Sequence, residues 1–165
     1  MSVSPPQPIE LRALRLKGHA DKLIYYMPLE QLNFWPESLS LPSRHFGVLL
    51  VCDGKVIPNS VVLTIAKAMT NQGLAYLCTW GPDCERIHDL FDEAIVDIEC
   101  SEGSINTDSV IMTTWHDEPM EDAVWYFLYS TLGAGDYAKT CQSWIVVPIE
   151  SADWVEKARG LALEL

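Results

Sequence analysis

The run "MTTWHDE" (Met112–Glu118) places an imidazole, His116, directly before two carboxylates, Asp117 and Glu118. A histidine beside a carboxylate is ordinary equipment for proton transfer, and converging carboxylates can instead hold a hard cation. Asp53, in "CDGK", adds a carboxylate at the end of an apolar run. Cys84 is a candidate of another kind. It falls in the first turn of a helical stretch, where the macrodipole lowers a thiol pKa, with His88 one turn further on the same face. Its neighbours Asp83 and Glu85 act against that shift. The candidate catalytic residues are therefore Asp53, His116, Asp117 and Cys84. All but His116 have a plain structural use as well: Asp-Gly starts turns, Asp117 and Glu118 suit the beginning of a helix, and a cysteine packs as a small apolar residue.

A second pattern concerns aromatic residues. "LCTWGPD" (Leu77–Asp83) and "MTTWHDE" both end an apolar run with Thr-Trp and then enter an acidic stretch through turn-like residues. Open α/β sheets bind ligands at the carboxyl ends of their strands. With the four core strands ordered 2-1-3-4, Asp53 would lie between the two tryptophan-bearing strands. One crevice would then collect Asp53, Thr79, Trp80, Thr114, Trp115 and His116, with Asp117 beside them and helix N–H groups aimed at it. The commoner use of a tryptophan at such a place is as a lid on the core.

The elements that must position these residues follow from periodicity. "FGVLLVCD", "LAYLCTW", "SVIMTTW" and "SWIVVPI" are strand-length apolar runs without alternation, the pattern of strands buried on both faces. Helical stretches alternate with them. One begins near Pro58 and is closed by Gly73; one carries Ile87, Leu90, Phe91, Ala94, Ile95 and Ile98, with a short strand as the alternative for "AIVDIE". A third, "AVWYFLYSTL", is apolar on nearly every face, with Asp117 available as its cap and Pro119 as its first residue; the fourth is capped by Ser151. Four strand–helix alternations predict a mainly parallel open sheet, Rossmann-like or flavodoxin-like, with helices on both faces. Residues 1–8 read as a disordered tip, 9–44 as a hairpin (Ile9 to Met27) followed by an irregular, proline-broken connection, and 45–165 as the βα core of one domain.

Composition narrows the function. The chain has 165 residues, 48% of them hydrophobic, enough for one ordinary core and with no run long enough for a membrane span. Five cysteines (Cys52, Cys78, Cys84, Cys100, Cys141) without a Cys-x-x-Cys pair fit reduced thiols in the cytoplasm. Neither Asp-x-Asp nor His-x-His occurs. "DGKVIPNS" matches neither phosphate-loop pattern, and "LGAGDYAK" (Leu132–Lys139) follows a helix rather than a strand, so no metal or cofactor is expected. The net charge of -12 opposes nucleic-acid binding. Between Asp83 and Asp122 stand thirteen acids and one base, Arg86, a surplus equal to the whole net charge.

That one-sidedness, with the stripe Asp89, Asp92, Glu93 and Asp97 on one helix face, points to a small acidic binding protein for a basic protein partner: an inhibitor, immunity-type or adaptor module. The alternative is a small-molecule or nucleotide-related enzyme, a hydrolase among the options, using the strand-end crevice. Self-association into a homodimer is expected through the apolar helix or the aromatic "IYYM" and "NFW" segments.

Overall fold

The computed structural model describes residues 12–15, 22–102, 110–149 and 151–164. The tip expected at residues 1–8 and the start of the hairpin lie outside them. Strand β1 (Arg12–Arg15) pairs antiparallel with β2 (Leu23–Tyr26), as the hairpin reading requires. β2 is more than an appendage, because it pairs in parallel with β6 (Cys141–Pro148) and so becomes a fifth parallel strand. The others are β3 (His45–Val51), β4 (Leu74–Trp80) and β5 (Met112–His116), and the sheet runs β1-β2-β6-β3-β4-β5.

The four core strands β3, β4, β5 and β6 thus stand in the order 3-2-1-4, the Rossmann arrangement rather than the flavodoxin one. This corrects the order 2-1-3-4 on which the crevice around Asp53 depended. β4 and β5 are direct neighbours, and the end of β3 lies outside them.

Connections set the two faces. Helix α1 (Asn59–Gln72) and α2 (Cys84–Ser101) follow β3 and β4 and pack on one side, where Val48, Leu50, Val62, Ala66, Leu77, Ile87 and Phe91 meet in one cluster. Helix α3 (Met120–Tyr129), the short α4 (Tyr137–Thr140) and α5 (Ala152–Glu164) follow β5 and β6; α3 and α5 cover the opposite face over Leu49, Val51, Phe127, Trp144 and Val146. Each of the large side chains fully buried here contributes about 2 kcal/mol by leaving water.

Local signals behave as chemistry demands. Gly73 closes α1 in the left-handed conformation (φ 112°), its N–H reaching the Met69 and Thr70 carbonyls. The stretch "AIVDIE" stays helical, since Ala94 and Ile95 continue the buried stripe of α2. Ser151 caps α5, its hydroxyl accepting from the Trp154 N–H at 3.4 Å. α3 departs from expectation in two ways. Its N-cap is Pro119, with no side-chain cap, so Asp117 sits before the helix rather than on it. It also keeps a wet side, with Glu121, Asp122 and Trp125 exposed, the last at 51%. The "IYYM" segment is core rather than surface, with Ile24 and Met27 fully buried. Of "NFW", only Asn33 and Phe34 remain exposed. No helix among the described residues is long and apolar enough to cross a membrane.

Candidate functional site

At the carboxyl edge the corner after β4 is tightly braced. Gly81 (φ 120°) passes so close to the Cys52 carbonyl that any Cβ there would collide with it, which explains glycine at this position. Asp83 follows in the left-handed region (φ 57°), where its side chain pairs with Arg86 at 2.7 Å instead of capping α2. Arg86 also donates to the Gly54 and Ile57 carbonyls and to the Asn59 side chain. The one base of the acidic segment is therefore turned inward, tying the start of α2 to the turn that follows β3.

The register between β4 and β5 answers why Thr-Trp occurs twice. Trp80 pairs with His116, and Thr79 with Trp115, so the two dipeptides are offset by one residue. A one-residue offset sends equivalent side chains to opposite faces of the sheet. Trp80 turns toward α5, meets Trp154 edge-on at 5.5 Å and donates its indole N–H to the Glu118 carbonyl at 2.7 Å. Trp115 turns toward α2 and stays 40% exposed. Between them, across the strand ends, opens a cleft of about 630 Å³. Asp83, Glu85 and Asp117 line it along with the three tryptophans, and Gly81, Pro82, Cys84 and His116 complete its lining.

His116 is buried and engaged at both ring nitrogens. Nδ1 lies 2.7 Å from Glu118 Oε1, and Nε2 lies 2.9 Å from the Thr114 hydroxyl, which also reaches Cys78 Sγ at 3.2 Å. Its ring packs against Tyr126 at 4.6 Å. Thr114, His116 and Glu118 thus form one hydrogen-bonded line of hydroxyl, imidazole and carboxylate, with the Thr114 hydroxyl donating to Cys78 Sγ. Partial desolvation pushes the Glu118 carboxyl up, but hydrogen bonds from its own backbone N–H and from His116 outweigh that and leave it below the usual glutamate value.

The other candidates fall elsewhere. Asp53 accepts from the Lys55 N–H at 3.0 Å and caps a 3-10 turn, one strand away from the cleft. The buried Thr79 hydroxyl donates to the Cys84 carbonyl at 3.0 Å and supports the corner from below. Thr114 bonds to His116 but does not line the cleft. Cys84 lines the cleft, yet burial raises its pKa, nearby Asp117 adds to this, and its Sγ–H points at the His116 carbonyl. His88 turns from Cys84 toward Asp89 (2.9 Å) and Asp92 (3.5 Å), so the thiol–imidazole pair does not form. Among the described residues no three His, Cys, Asp or Glu side chains converge to hold a metal.

On the outer face of α2, Asp89, Glu93 and Asp97 stand exposed; Asp92 is half-buried and accepts from the Thr113 hydroxyl at 2.6 Å. Asp92 thus also fastens α2 to β5, a role its place in the charged stripe concealed. Trp154 was missed from sequence as well, and Glu118, read there as a carboxylate suited to a helix start, is the one that holds His116. Trp154 stands in the first turn of the helix after the last strand, and that turn must return to the same sheet edge; this was the available signal.

A domain of unknown function (DUF7684) matches residues 24–162, most of the chain. The chain belongs to the DUF7684 family. No curated protein and no solved structure matches it. The family's matched region covers the parallel sheet but for Leu23, the first residue of β2, and the cleft, with β1 outside it.

Proposed function

We propose that this DUF7684 member is a cytoplasmic binding protein, an inhibitor, immunity-type or adaptor module, that engages a basic protein partner through its acidic side. The observation that carries this reading is the inward turn of Arg86. With that guanidinium held by Asp83, Asn59 and two carbonyls, the outward carboxylates Asp89, Glu93 and Asp97 face solvent with no lysine or arginine partner among the described residues, and only Asp89 has a neighbouring ring, the His88 imidazole. Such a field steers an oppositely charged partner and decays over about 8 Å at physiological salt. The cleft's thiol supports binding over turnover, since burial raises the Cys84 pKa and its Sγ–H is turned to the His116 carbonyl.

The test is capture of partners from a lysate of the source cell at low and high salt, comparing the native chain with Asp89→Asn, Glu93→Gln, Asp97→Asn. Asp92 is left in place because it holds Thr113. A basic protein released sharply by salt, and retained at least about tenfold less by the triple variant, is expected. Equal retention at low salt overturns the reading.

One observation favours the enzymatic alternative, a small-molecule or nucleotide-related activity such as hydrolysis: the Thr114–His116–Glu118 line. In that reading His116→Ala abolishes turnover of any substrate found, whereas in the binding reading it costs stability and there is no turnover to lose.

A further inference from the structure

The cleft at the strand ends is more than a dent in an acidic surface. We propose that it is a receptor for a cationic side chain, lysine or arginine, presented by the basic partner; the inference rests on the partner reading above. Three features select that occupant. The walls are indoles from both faces of the sheet, Trp80 with Trp154 on one side and Trp115 on the other, and indole is the best aromatic face for a cation. Trp80 is fixed by its hydrogen bond to the Glu118 carbonyl, so that wall needs little ordering on binding.

The second feature is uncompensated charge. Asp83 is paired with Arg86, but neither Glu85 nor Asp117 has an ion-pair partner among the described residues. Among the described residues no lysine or arginine lines the cleft, and the one basic ring there, His116, has both nitrogens engaged. Anionic ligands meet repulsion here, and a neutral ring would leave two carboxylates to be desolvated without a counter-charge.

The third is continuity. Glu85 lines the cleft and also stands one turn before Asp89, so the acidic track on α2 runs into it. A basic segment lying along α2 thereby reaches the indoles with one side chain while its neighbours face Asp89 and Glu93.

The experiment uses the full chain and a capped tetralysine peptide, followed by tryptophan fluorescence and calorimetry, alongside the same peptide with one residue replaced by trimethyllysine or by its uncharged tert-butyl isostere. The expected result is saturable binding that Trp115→Leu and Asp117→Asn each weaken by about three- to thirtyfold, with the trimethyllysine peptide bound more tightly than the isostere. The Trp115→Leu effect should persist at high salt, where that of the α2 triple variant fades. Trp115 and Asp117 are exposed, so both variants keep the fold, which circular dichroism checks. Binding that is indifferent to Trp115 and Asp117, or tighter for the isostere, overturns the cleft inference and leaves the α2 surface standing. No binding of tetralysine at all overturns both.

Discussion

Lys22 and the carboxylates of α2 carry opposite charges on opposite faces of the sheet, and the chain treats them in opposite ways. The Lys22 ammonium is buried. It donates to the Leu128 carbonyl at 2.9 Å, the Thr131 hydroxyl at 3.2 Å and the Phe127 carbonyl at 3.5 Å, and it lies 4.4 Å over the Trp144 ring. Its partners are the last carbonyls of α3, where a cation answers the helix dipole. Burial still lowers its pKa to about 8. The acids of α2 are left in water, and the base that could have offset them is turned inward. A charge with every partner supplied from within is structural; a row of carboxylates with no lysine or arginine supplied among the described residues is available to something outside.

The comparison can be broken in several ways, the largest effect first. Lys22→Ala should lower unfolding free energy by about 3 kcal/mol, because it strands buried carbonyls and empties the space over Trp144, while tetralysine affinity stays unchanged; urea titration and calorimetry read the two. The pH signature has a definite sign. Below about pH 8 Lys22 is charged in both states and its desolvation opposes folding; between about 8 and 10.5 the folded chain sheds the proton first, so this contribution to stability rises. Cys78 and Cys141, which burial pushes up to about 12, act the other way above pH 9, so the relevant quantity is the difference between the native chain and Lys22→Met.

A smaller effect belongs to Glu118. Its folded pKa lies below the unfolded one, so its stabilisation is complete above about pH 4.5 and is lost as pH falls through the folded value. Acid titrations of Glu118→Gln should lack that loss, and a curve parallel to the native one would remove His116 as its partner.

The exposed acids should show the smallest change in stability. Asp89→Asn, Glu93→Gln, Asp97→Asn should alter unfolding free energy by no more than about 0.5 kcal/mol, toward greater stability at low salt, because it relieves repulsion and alters only the exposed His88–Asp89 contact. Thiol labelling checks the packing underneath. With native protein, iodoacetamide should modify Cys100, the exposed cysteine, well before the four buried ones, and all five should react in denaturant.

The fold was largely legible because a strand buried on both faces writes an unbroken apolar run, as in "FGVLLVCD" and "LAYLCTW", and a helix packed on one side writes a stripe. Strand order was not legible. It depends on which face each crossover takes, and nothing in the periodicity of α1 or α3 records that choice. Of the residues singled out from sequence, Trp80, Trp115, His116 and Asp117 lie together at the cleft because they end adjacent strands. Asp53 was assigned to it only through the wrong order. Thr79 and Thr114 stand next to it, but alternation along each strand turns them away from their neighbouring tryptophans, and their hydroxyls bond to the Cys84 carbonyl and His116.

Arg86 has a mechanical consequence. By gripping the turn after β3 as well as Asp83, it rivets the first turn of α2 to the middle of the sheet. A load applied to the outer face of that helix passes into β3, the strand flanked by β4 and β6, rather than into a hinge. A partner docking on this surface, as proposed, would then meet a rigid body, with little chain left to order and an association rate set by the charge field.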